Sequence, residues 1–258
     1  EDVLGEGTPI VSLEGIQYFY NLQNLYCADI GLTSLDVSAL SKLTQLTCMD
    51  NALGTLDLSK NTALTQINCA ADQLTELKLP AGVQRLLCEN NALTALDLSG
   101  CTALTYLKCA NNQLATLNLG TNTALSTLIV SNNHLPLLDL RANTALTTVT
   151  LGQQTITVNA TQQDNVFYAP VGGLAADGVV YQDTEKYENG NFVTADYALM
   201  QNGFTYEYAT GSDLAGAMTV DVTVVKDFYQ VRFYGDETKN VLLSAVAVNS
   251  GQTAVAPT

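Results

Sequence analysis

From Leu22 to Leu151 the apolar residues of this chain fall into fixed columns. Leu22, Leu43, Leu64, Val83, Leu104, Leu125 and Leu146 form one. Leu25, Leu46, Ile67, Leu86, Leu107, Leu128 and Val149 form a second, and Leu32, Leu53, Leu74, Leu93, Leu114, Leu135 and Ile156 a third. A fourth holds Cys27, Cys48, Cys69, Cys88, Cys109, Val130 and Leu151, in steps of 21 residues except for one of 19 between Cys69 and Cys88. The unit is L-x-x-L-x-C-x-x-N-x-L-x-x-L-D-L-S-x-N-x-A, complete in Leu43 to Ala63. One such unit cannot bury its apolar side chains alone, so neighbours stack them into a continuous core. The L-x-C segment alternates like a strand, with Leu46 and Cys48 inward. Stacked strands then form a parallel sheet, roughly 30 Å wide for seven strands about 4.8 Å apart. The rest of the unit is too short for a full helix and return. A short β segment or a single helical turn is expected at L-D-L-S.

The polar columns carry their own logic. Asn51, Asn91, Asn112 and Asn133 lie three residues past the cysteine column, where a buried amide can satisfy backbone groups that the bend leaves unpaired. Asp72 can do part of this; Ile30 and Gln154, at the two ends, break the column. The cysteines admit two readings, a metal or disulfide ladder and a small buried apolar side chain in a narrow column. Packing is the better one. Val130 and Leu151 occupy the same position, and no Cys pair has C-x2-4-C spacing. Cys101 stands at the loop position of Asn61, Asn122 and Asn143 and reads as an inward substitute for asparagine. The unit containing Pro80 and Gly82 is two residues short, which predicts a tight turn and a local dent. Ile16, Tyr18, Phe19 and Tyr20 are candidates to cover the exposed first coil, or else an aromatic binding patch.

Past Leu151 the period ends and β patterns take over. Thr155 to Asn159 alternates as it leaves the last coil. Val166 to Tyr168, Val179 to Tyr181, Phe204 to Tyr208 and Met218 to Val224 follow, all read as strands. Gly172-Gly173, Asn189-Gly190, Asn202-Gly203 and Gly211-Ser212 mark turns. Short strands at this spacing predict a small β-sandwich. A last pair, Val231 to Phe233 and Val241 to Val248, flanks Gly235-Asp236.

The 21-residue unit with its cysteine column, and the lead-in Ser12 to Phe19, resemble the internalin-like leucine-rich-repeat surface proteins of bacteria. The resemblance covers about residues 12 to 158. The next segment resembles the immunoglobulin-like domain that follows such repeats. The last resembles the first hairpin of a β-grasp B-repeat, ending at Ala256-Pro257-Thr258 without the family's G-Y-x-F-x-G-W stretch. The expected fold is therefore mainly β. A leucine-rich-repeat solenoid with its cap (1–154) leads to an immunoglobulin-like β-sandwich (155–226) and a truncated B-repeat hairpin (227–258). That hairpin cannot close a core of its own and is expected to be mobile or to borrow a neighbour's edge.

Charge and chemistry narrow the function. Net charge is −15 and evenly spread. Residues 1–154 carry 6 basic and 13 acidic groups, and 155–258 carry 4 and 12. Such a chain suits neither nucleic acid nor anionic lipid, and no run is long enough to span a membrane. Residues 1–10 lack the basic and apolar regions of a signal peptide, consistent with a mature form. His134 is the single histidine and sits at a bend, so no Ser/His/Asp or Cys/His arrangement suggests itself. Asp36, Asp57, Asp97 and Asp139 recur in an outward column that reads as a solvated face, without a calcium-loop motif. No catalytic residue, metal site or cofactor is expected.

The outward positions of the sheet remain. Arg85, Leu87, Tyr106, Lys108 and Ile129 fall on three successive strands, with Tyr26 and Asn68 in the same columns. Mixed aromatic, aliphatic and arginine residues are typical of interface centres. These seven are the candidate partner-binding residues, with both basic groups expected to attract acidic or hydroxyl groups. The resemblance implies an extracellular bacterial protein, on the surface or secreted, that binds a host or environmental protein or glycan through the concave repeat face. A structural spacer without a specific ligand is the alternative.

Overall fold

A computed structural model describes residues 12–180, 186–226, 228–234 and 242–252. Contacts divide the chain into two units, 1–154 with 210–218, and 155–209 with 219–258.

The first unit is built from the repeats. Its strands are β1 (Asn24–Tyr26), β2 (Gln45–Thr47), β3 (Thr55–Asp57), β4 (Gln66–Asn68), β5 (Glu76–Lys78), β6 (Arg85–Leu87), β7 (Tyr106–Lys108), β8 (Thr127–Ile129) and β9 (Thr148–Thr150). Seven of them form one sheet in the order β1-β2-β4-β6-β7-β8-β9, and β3 pairs separately with β5 at the L-D-L segments. Every pair is parallel and in step: Leu25 faces Leu46, then Ile67, Leu86, Leu107, Leu128 and Val149. The register cannot slip, because a shift of one residue would turn the apolar column to solvent. The inward leucines of the inner coils and the cysteine column are buried, Leu22, Leu25 and Leu146 at the two ends are partly exposed, and all six cysteines are free.

A second ladder runs beneath the sheet. Asn112 donates through Nδ2 to the Cys88 and Cys109 carbonyls at 3.0 and 3.1 Å, and its Oδ1 accepts from Leu93 N–H at 3.0 Å. Asn51, Asn91 and Asn133 do the same one coil apart. Gln154 does not break this column. It is fully buried, its Nε2 donates to the Val130 and Leu151 carbonyls at 3.1 and 3.0 Å, and its Oε1 accepts from Leu135 N–H at 3.4 Å. One extra methylene lets a glutamine reach the same three groups. A third ladder, of Asn61, Asn122 and Asn143, bridges two carbonyls of the preceding coil each time. Cys101 keeps its inward place there but donates only to the Pro80 carbonyl, at 3.5 Å. The coil before it is the short one, so one weak donor serves where the amides serve two acceptors.

One expectation at the start of this unit changes. Tyr18, Phe19 and Tyr20 do not cover the first coil; their exposures are 77%, 62% and 67%. A 3-10 turn over Ile16–Tyr18 turns these consecutive rings outward. At the other end the loop 210–218, from far along the chain, joins the repeats: Leu140 N–H donates to the Thr210 carbonyl at 2.8 Å. Gly211 has φ +74°, and a Cβ there would strike the Arg141 side chain.

The second unit contains β10 (Gln153–Gln163), β11 (Val166–Pro170), β12 (Val179–Val180), β13 (Lys186–Glu188), β14 (Asn191–Thr194), α1 (Tyr197–Asn202), β15 (Phe204–Ala209), β16 (Ala217–Lys226), β17 (Phe228–Tyr234) and β18 (Leu242–Asn249). Tyr181, the turn Gly235-Asp236 and the end Ala256-Pro257-Thr258 lie outside the described residues. Seven strands join in the order β12-β15-β16-β10-β11-β14-β13. Phe167, Phe192, Phe204, Tyr206, Met200, Met218 and Val220 are buried among them. The segment is not all β, because α1 interrupts it. Asp196 caps that helix by accepting from Ala198 N–H at 2.8 Å and Leu199 N–H at 3.3 Å, and Gly203 ends it at φ +82°.

The last hairpin, β17 with β18, is antiparallel. It does not hang free of its own chain. Phe228 is 1% exposed and its ring lies 4.9 Å from that of Phe167, while Ala247 N–H donates to Asn165 Oδ1 at 3.0 Å. One buried aromatic at its base anchors a hairpin too small to make a core itself.

Candidate functional site

Strand alternation sends one residue of each pair outward, and the parallel register lines those residues up across the sheet. Gln45, Gln66, Arg85 and Tyr106 make one row; Thr47, Asn68, Leu87, Lys108 and Ile129 make the next. Five of the seven candidate residues, Arg85, Leu87, Tyr106, Lys108 and Ile129, are thus immediate neighbours, and each is half-buried. Asn68 adjoins Leu87 but is engaged within the chain: its Oδ1 accepts from Ala70 N–H at 3.3 Å, and its Nδ2 lies 3.2 Å from Met49 Sδ. Tyr26 stands apart on the end strand β1, 74% exposed.

Side-chain pairing reshapes the electrostatics. The Arg85 guanidinium lies over the Tyr106 ring, 3.6 Å from its centroid, a stacking that covers one face of the guanidinium and uses none of its N–H groups. Lys108 Nζ meets Glu89 Oε1 at 2.8 Å, with the two side chains 34% and 11% exposed. That hydrogen bond holds the ammonium above its ordinary range and keeps it protonated. The expectation of two cations available to a partner is therefore corrected. Lys108 is neutralised by Glu89, and Arg85 is the one that remains. Glu89 belongs to the site and went unselected. The signal for it was its place among small residues, in the column Ala28, Met49, Ala70, Glu89, Ala110, Ser131 and Gly152.

Next to Arg85 the outward face dips into a shallow hollow of about 250 Å³. Gln45, Thr47, Gln66, Asn68, Arg85 and Leu87 rim it, and the buried Leu46 and Ile67 lie beneath.

The other chemistry-bearing residues have structural work. Asp36, Asp57 and Asp97 are exposed, and each accepts from the backbone N–H of the serine two residues on, at 2.9–3.0 Å. Those serine contacts hold the three carboxyls below their ordinary range. Arg141 takes the serine's place beside Asp139 and brings its pKa down to about 2. His134 is exposed in a bend and its backbone N–H donates to the Leu114 carbonyl at 2.9 Å. Among the described residues no group of three His, Cys, Asp or Glu is placed to hold a metal ion, and no helix is long and apolar enough to cross a membrane.

No protein-family profile matches the chain, and no curated protein matches it in sequence. Solved structures do. A functional domain of InlJ from Listeria monocytogenes, described as including a cysteine ladder, superposes with a TM-score of 0.66 at 27% identity, over 82% of this chain. The repeats are internalin-like leucine-rich repeats. The chain spans about half, 49%, of that Listeria chain's length. The leucine-rich-repeat protein LIC12759 of Leptospira interrogans shares the fold, with a TM-score of 0.50 at 19% identity over 55% of this chain and 40% of that one. An internalin C2 of Listeria monocytogenes matches at 26% identity and a TM-score of 0.49, over 57% of this chain and 68% of that one. In these repeats the cysteine column is buried, and the outward side chains of the sheet are half-buried or exposed.

Proposed function

We propose that this protein is a non-enzymatic recognition protein of the bacterial surface or secretion space. The outward face of its repeat sheet docks an extracellular protein or glycan. Residues 1–154 act as the recognition module, and an immunoglobulin-like segment (155–226) with the hairpin at 227–258 acts as the spacer. One observation carries the reading. In columns that elsewhere hold mostly Thr, Asn and Gln, three adjacent strands place Leu87, Ile129 and Tyr106 beside a stacked arginine, half-exposed and contiguous. Apolar and aromatic groups ringed by polar ones are what interface centres contain.

The test is binding by the full chain to a panel of extracellular proteins and glycans, repeated with the Leu87→Ala/Tyr106→Ala double variant. Each truncation at an interface centre costs about 2 kcal/mol or more, so the double variant should lose most affinity. Asp57→Ala and Asp97→Ala, in the L-D-L segments away from the seven-stranded sheet, should leave it unchanged. Full affinity in the double variant would move the site elsewhere and favour the spacer reading.

A further inference from the structure

Along the outward side of the repeats several polar side chains are already paired. Lys108 holds Glu89, and Asn90, Asn111 and Asn132 hold one another, at 2.7 and 2.6 Å. The hollow beside Arg85 is different. Among the described residues, Gln45, Thr47, Gln66 and Arg85 form no side-chain hydrogen bond or ion pair, and all four rim this one depression. Two rows frame it, Gln45-Gln66-Arg85 and Thr47-Asn68-Leu87, one on either side of the buried Leu46 and Ile67. Strand geometry spaces the polar groups roughly 5 Å apart across the strands and about 7 Å along them, which is the scale of a sugar ring and its substituents.

The chemistry of the rim specifies a ligand. Two free primary amides and a hydroxyl both donate and accept, as sugar hydroxyls do. Arg85 alone is charged, and its stacking on Tyr106 occupies one face of the guanidinium while the N–H fork stays open for a carboxylate. A carboxylate alone would use only the fork; the amides and the hydroxyl add a call for several closely spaced groups that both donate and accept, as the hydroxyls on one sugar ring do. At about 250 Å³ the hollow is below the roughly 300–1,000 Å³ of pockets for whole drug-sized ligands, so it takes one residue of a longer ligand. We propose that this hollow is a subsite for an acidic sugar, a hexuronate-type residue of a glycan. Its carboxylate sits on Arg85 and its hydroxyls on Gln45, Thr47 and Gln66. The subsite rests on the docking reading of the face and names the chemical class it takes at that end.

Chemical-shift mapping on the full chain tests it, with methyl glucuronide, methyl glucoside and N-acetylglutamate amide as probes. The glucuronide should perturb the backbone amides of 45–47, 66–68 and 85–87 at millimolar concentration, and the other two should bind at least about tenfold more weakly, as expected for losing charge-assisted or multiple hydrogen bonds. Arg85→Gln and Gln66→Ala should each cost a similar factor. Arg85→Lys should restore only part, because an ammonium lacks the fork. Equal binding of the glucoside, equal binding of the glutamate amide, or no perturbation in the hollow would each overturn the assignment. Ile129→Ala, two strands beyond Arg85, should leave glucuronide binding unchanged while weakening a docked macromolecule, so failure of the subsite and failure of the docking face are read separately.

Discussion

Asp72 replaces the amide of the buried ladder with a carboxyl, and that single change should make the repeats more stable in acid. Its Oδ1 accepts from Asn51 N–H at 2.9 Å, as an asparagine's would, and its Oδ2 accepts from Cys48 Sγ at 3.5 Å. What it cannot do when ionised is donate. The Cys88 and Cys109 carbonyls each receive two amide N–H groups, whereas Cys48 receives one from Asn51 and Cys69 one from Asn91. Asp72 is fully buried, and desolvation raises its pKa from 3.8 to about 6. A carboxyl whose folded pKa is raised contributes fully below its unfolded value and loses that contribution as pH climbs through the folded one. At 1.36 kcal/mol per tenfold in proton affinity, stability should fall by about 2–3 kcal/mol between pH 4 and pH 6 and stay flat above.

Asp72→Asn removes the buried charge and restores two donors, each of the order of 1 kcal/mol. The variant should gain about 2–4 kcal/mol at pH 7.5 and little at pH 4, where the parent is already protonated. Urea unfolding in matched buffers from pH 4 to 8 measures this. The quantity to compare is the difference between the two proteins at each pH, since other carboxylates titrate in both. Equal midpoints at pH 7.5, or parallel pH profiles, would refute the reasoning.

Other outcomes follow from the same core. Asn112→Ala leaves the Leu93 N–H and the Cys88 and Cys109 carbonyls short of a partner. It should cost about 3 kcal/mol or more in urea unfolding, and a loss under about 1 kcal/mol would show that the ladder contributes little. The six cysteines are free and buried, and burial pushes the Cys27 and Cys109 thiols up to about 11 and 12. At pH 8 they should react slowly with thiol reagents in the native protein, while unreduced, denatured protein should yield close to six; a count of two or none would mean disulfides.

What could be read from the sequence divides along a physical line. Columns repeated every 21 residues impose strand register, core and buried ladders, because each follows from stacking identical units. The outward residues Arg85, Leu87, Tyr106, Lys108 and Ile129 were legible for the same reason, since alternation and register alone make them neighbours. Side-chain pairing was not legible. Glu89 and Lys108 sit in different outward columns of adjacent coils, and only rotamers bring Oε1 to within 2.8 Å of Nζ. That contact pairs one of the two cations of the face and leaves Arg85 as the other. The features outside the period were also hidden. The loop 210–218 reaches back to Leu140, and Phe228 anchors the last hairpin on Phe167. Each depends on a residue far away in sequence for which no column supplies a template. A period fixes where an average unit goes. What sets one face apart from another is the set of departures from that average, and at the centre of this face they are one stacked arginine and one buried glutamate.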